Sequence, residues 1–163
     1  MEDAKPEMIF LTVTWAADRT HFSLLNHSLQ LSALNSVPHH VVVQHEDLEL
    51  FRNFADTRTC FYSSQEVLPE VVEKRRNGAR FWQRRLGRSA TRISGSLARH
   101  INWPDWVRYT GWHTQQLTKL AFVAASEVDT VVVMDSDVIV TPHAGTADFL
   151  NPGKIVCYRD ERP

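Results

Sequence analysis

Cysteine is nearly absent from the chain: Cys60 and Cys157 stand far apart and in no metal-ligand spacing. That scarcity excludes a disulfide scaffold and a cysteine zinc cage, suits a reducing compartment, and leads us to expect two thiols buried in the core. No apolar run approaches the roughly 20 residues needed to span a bilayer. The opening residues, MEDAKPEMIF, carry acids where a secretory signal would be basic, so a cytoplasmic location is expected. Excess charge is lacking too: 18 Lys and Arg stand against 19 Asp and Glu, a formal net charge of -1 that names no partner. The histidines form no HxH or HxxxH pair, and there is no internal repeat or low-complexity tract.

What is present is one ordinary domain: 163 residues, 43% apolar and 23% charged, enough to bury a sizeable core. Ile9 to Trp15 (IFLTVTW) reads as a buried strand followed by the polar break AADRTH. From Phe22, Leu24, Leu25, Leu29, Leu31 and Leu34 recur at helical intervals. After Ser36–Pro38 comes a second strand, Val41 to Gln44, in which the preceding His39 and His40 would face opposite ways. A short helix over Glu46 to Phe54, with acids in its first turn, and a third strand over Thr59 to Ser63 follow. A last short strand is expected over Ile155 to Tyr158. Strands that are continuously apolar rather than alternating imply an α/β fold, a mostly parallel sheet with helices on both faces.

Residues 69–100 hold nine of the 18 basic residues against two acids. Arg76, Arg80, Arg84 and Arg88 stand four apart and would line one side of a helix, interleaved with Phe81, Trp82 and Leu86. A solvated helix is the plain expectation. Among binding roles, aromatic residues between arginines favour a peripheral membrane contact over nucleic acid, and no nucleic-acid partner is expected. Gly87, Gly95 and the ATRISGS run suggest that part of 69–110 is loop.

The stretch with most chemistry is VVVMDSDVIV, Val131 to Val140. Two carboxylates at i and i+2 repel each other and resist burial, so a strand carrying them needs compensation. Asp135 and Asp137 fall where the apolar strand Val131–Met134 runs out, the rim at which parallel sheets bind ligands, with a further strand expected after them. Oxygen donors of this kind suit Mn2+ or Mg2+ held partly by water and partly by phosphates, so a nucleotide diphosphate is the natural cargo. An Asx turn satisfying both carboxylates is the structural alternative. Upstream, Trp112 to Ser126 reads as a helix apolar nearly all round, buried on several sides; Lys119 in its middle demands a carboxylate or phosphate, pointing toward the diphosphate or bracing the aspartate pair, unless it snorkels to the surface, and Gln116 one turn earlier supplies an amide. Thr14, Trp15 and Asp18 follow the first strand: Trp15 could stack on a base and Asp18 accept from a ribose hydroxyl, or they serve as core packing and a helix cap.

The stretch VVVMDSDVIV resembles the DxD signature of GT-A type glycosyltransferases. With GWHTQQLTKL (Gly111 to Leu120) one helix upstream, and FLTVTWAADRTHFSLLNHSL and VVVQHEDLELF in order before it, residues 8 to 142 resemble a bacterial group of glycosyltransferase-like proteins of unassigned specificity. The resemblance implies a GT-A-like, Rossmann-like domain over 1–163, with 69–110 a basic insertion. It implies a nucleotide-sugar donor, a UDP-sugar, with Asp137 as direct ligand of Mn2+ or Mg2+ and Asp135 contacting ribose or sugar. Lys119 and Gln116 would serve the phosphates, Thr14, Trp15 and Asp18 the nucleoside. A glycan or lipid-linked acceptor is implied, but little chain follows DxD, so a truncated domain lacking the acceptor half is expected. A non-catalytic nucleotide-sugar-binding module is the alternative. A haloacid-dehalogenase-like phosphatase, which also begins on DxD, is disfavoured by bulky Val138 and by the short remaining chain.

Overall fold

The computed structural model describes residues 6–101, 111–151 and 154–155. Four parallel strands form its centre: β1 (Met8–Thr14), β2 (His39–Val43), β3 (Thr59–Ser63) and β4 (Thr130–Met134), in the order β3-β2-β1-β4. All seven residues of β1 are buried, because it lies between two neighbours and under helices on both faces. Its register pairs Thr12 with Val41 of β2 and with Met134 of β4. The helices are α1 (Arg19–Leu31), α2 (Leu48–Phe51), α3 (Ser64–Val67), α4 (Glu70–Ile101) and α5 (Trp112–Ala125), and a small antiparallel pair, β5 (Leu150–Asn151) and β6 (Lys154–Ile155), follows. The architecture is α/β and Rossmann-like, as the apolar strands predict. Of the strand expected over Ile155–Tyr158, all but Ile155 lies outside the described residues.

The alternation of β1 builds two cores. Met8 and Phe10, with Val41 and Val43, meet Phe22, Leu25 and Leu29 of α1 and Phe51 of α2. Leu11 and Val13, with Val42, meet Val67 of α3 and Phe122 of α5 on the other face. Phe22 is the hub of the first: its ring lies edge-on to Phe51, Phe54 and Phe61 at 5.5, 5.4 and 6.0 Å. His39 and His40 do face opposite ways. His39 is buried beside Phe22 with Nε2 2.9 Å from Thr12 Oγ1, whereas His40 stacks on Tyr62 and meets its hydroxyl at 2.9 Å. Burial, aided by the charge of Arg58, pushes His39 down from 6.5 to about 3, so it is neutral at pH 7.

Four expectations are corrected. No strand directly continues the aspartate pair: β4 ends at Met134, and Asp135–Val138 is a turn in which the Asp135 carbonyl accepts from the Val138 N–H. The chain then leaves the sheet, and Val140 N–H donates to Ser28 Oγ on α1. Second, α5 is not buried on several sides. Its buried residues are Thr114, Thr118 and Lys119, while Leu117, Leu120 and Val123 are exposed, because β4 is the sheet edge among the described residues and α5 is covered on one side only. Third, Gly95 and the ATRISGS run, expected to be loop, are helical through Ile101, with one break at Gly87, whose φ of 70° is the left-handed value glycine tolerates; residues 102–110 lie outside the described residues. Fourth, Cys60 is exposed on the edge strand β3; Cys157 lies outside the described residues.

Candidate functional site

Sheet growth reverses between β1 and β4, and in open parallel sheets the crevice beyond the carboxyl ends of such strands is where ligands bind. Because Thr12 sits opposite Met134, the loops carrying Trp15 and Asp135 leave the same rim side by side. The first loop is held across the sheet: Ala16 N–H donates to Asp47 Oδ2 at 2.9 Å, tying the end of β1 to the end of β2. Trp15 is not core packing; it is 46% exposed at the mouth of a cavity. Asp18 occupies the N-cap position of α1, but its side chain makes no capping bond.

At the other strand end, Lys119 Nζ lies 2.5 Å from Asp135 Oδ1. The lysine side chain is 11% exposed and that of Asp135 61%, so the pair joins a buried cation to a solvated carboxylate. Lys119 therefore braces the aspartate turn from below. Asp137 is exposed and makes no hydrogen bond or ion pair among the described residues, and neither carboxylate takes a backbone N–H, so the Asx-turn alternative is absent. The donor chemistry fits a hard divalent cation that keeps most of its water. With an ammonium on Asp135, Asp137 is the carboxylate that would be free to hold such an ion. No three His, Cys, Asp or Glu side chains gather into a metal cage among the described residues.

Between the ends of β1 and β2 and the helices α4 and α5 lies a cavity of about 430 Å³, within the usual range for small-molecule sites. Thr14 lines it with its Oγ1 buried and unpartnered. Gln115, not Gln116, is the amide that reaches the sheet, its Nε2 donating to the Val13 carbonyl at 3.0 Å. Gln116 is half-buried and does not line the cavity, because α5 turns the preceding residue toward β1.

The arginine row is divided. Arg76 is 3% exposed and bonded to Glu73 at 2.8 Å, with Glu46 at 3.8 Å; Arg80 meets Glu46 and the side-chain oxygen of Gln44. Both line the cavity and are held by these acids. Arg84 is exposed, and Arg88 follows the break at Gly87, its side chain outside the described residues. The inward pair was missed by sequence reasoning. The available signal was Glu73 three residues before Arg76, with Glu46 and Asp47 waiting at the end of β2.

No helix among the described residues is long and apolar enough to cross a membrane. No curated protein and no solved structure matches the chain. A family model does match, over residues 8–163, nearly the whole sequence, and the chain therefore belongs to DUF6492, a family of unknown function.

Proposed function

We propose that the protein is a GT-A-like glycosyltransferase domain that binds a nucleotide-sugar, a UDP-sugar, and passes its sugar to a glycan or lipid-linked acceptor. The observation that carries this reading is the pairing of two strand ends at the sheet reversal: Thr14 and Trp15 beyond β1, and the Lys119-braced aspartate turn beyond β4. Trp15 offers an exposed ring for the base, and Thr14 and Asp18 offer unengaged oxygens for base or ribose. Asp137 would hold Mn2+ or Mg2+, which supplies positive charge to the departing diphosphate. Lys119 does two things: it fixes the Asp135 carboxylate where a ribose or sugar hydroxyl can donate to it, and it adds a cation near the phosphates.

Incubating the protein with UDP-sugars and Mn2+ tests transfer against mere binding. Release of UDP that depends on Asp137 supports a transferase. Saturable donor binding without release assigns a nucleotide-sugar-binding module, and no donor interaction of any kind removes the proposal.

A further inference from the structure

We infer that Arg76 and Arg80 form an anion-binding subsite inside the cavity, separate from the aspartate rim, which takes a phosphate or carboxylate group of a small organic ligand. Among the described lining residues these two are the charged ones, and neither Asp135, Asp137 nor Lys119 belongs to the lining. Arg76 is 97% withdrawn from solvent, yet its Nε has no hydrogen-bond acceptor among the described residues. A buried guanidinium N–H without a partner costs free energy that a bound oxyanion would recover. Thr14 Oγ1, also buried and without a partner among the described residues, adds a donor on the same walls, where the Ser64 hydroxyl already donates to Glu73.

The acids that balance the arginines sit outside this lining. Glu73 pairs with Arg76 from its own helix, and Glu46, 37% exposed on the loop after β2, reaches both arginines. A half-solvated carboxylate is a displaceable partner, so a ligand oxyanion can replace Glu46 without leaving a buried charge behind. Burial, with Arg84 close by, lowers the Arg80 pKa, the direction in which a bound anion would be welcome. Trp15 and Trp112 line the same cavity and are 46% and 67% exposed, ring surface for the body of a ligand whose charged end reaches the arginines.

The subsite is independent of metal, and its test is arranged accordingly. Inorganic pyrophosphate and glucuronate are titrated by calorimetry in EDTA and low salt into wild type, Arg80→Gln, Arg80→Lys and Arg84→Gln, each checked by thermal melting. Binding of one probe, weakened ~10-fold or more by Arg80→Gln, partly restored by Arg80→Lys and changed less than ~2-fold by Arg84→Gln, is expected; the probe that binds tells phosphate from carboxylate. Equal weakening by Arg84→Gln would reduce the effect to general surface charge and overturn the subsite. So would no binding of either probe by wild type, a result that needs no variant to fold. Asp137→Ala should leave this binding unchanged, so the subsite can stand if the metal-dependent donor reading fails, and the reverse.

Discussion

Two side chains at the residue scale show how burial decides the sign of an effect. His39 is wholly buried and held neutral, with its proton affinity pushed from 6.5 to about 3. Below pH 6.5 the unfolded chain takes up a proton that the folded chain refuses, so this contribution to stability is complete above pH 6.5 and is lost as pH falls toward 3. Urea denaturation at pH 7, 6 and 5 should show stability dropping by up to about 1.4 kcal/mol per pH unit from this one group, and His39→Gln should flatten that slope. Lys119 and Asp135 present the opposite asymmetry, a buried cation paired with a solvated carboxylate. Asp135→Asn strands the lysine and should cost about 1–3 kcal/mol, whereas Lys119→Met leaves a carboxylate that water can reclaim and should cost about 1 kcal/mol or less, both read from thermal melts. The need for a partner at Lys119 was legible in the sequence, since an ammonium amid apolar residues demands one. The aspartate pair was one of the two partners it pointed to; that Asp135 and not Asp137 answers depends on where β4 ends.

At the element scale, α1 and α5 divide on the same question. The apolar positions of α1 at helical spacing do face the sheet, and Phe22→Ala should cost about 3–5 kcal/mol in equilibrium unfolding, because it empties the centre of a four-ring cluster. Leu120 lies in a helix with even more apolar residues, yet it is 66% exposed. Leu120→Ser should change stability by no more than about 0.5 kcal/mol. Composition cannot separate these cases: a helix apolar all round does not say which face is covered, and α5 turns threonines and a lysine inward instead. The arginines of α4 teach the same lesson with charge. Their four-residue spacing predicted one face correctly for Arg76 and Arg80, but the direction of that face was set by Glu46 and Gln44 from a distant loop.

For the whole molecule, the parallel sheet was legible because continuous apolar strands separated by helices have few other arrangements. The strand order was not legible: that β4 joins beside β1 and so brings their ends together is seen only in the sheet. The cavity beside that point was not legible. Its walls come from five segments between Val13 and Thr118, and its polar character rests on residues that the sequence presents as surface. Thr14 and Trp15, beyond the end of β1, belong to both the rim and the cavity lining. Calorimetric titration of UDP, with and without Mn2+, into wild type and Asp137→Ala decides whether the aspartate turn holds a nucleotide diphosphate through a metal. Mn2+-dependent binding that Asp137→Ala weakens by ~10-fold or more is the predicted result; binding indifferent to Mn2+, or equal in the variant, would contradict it.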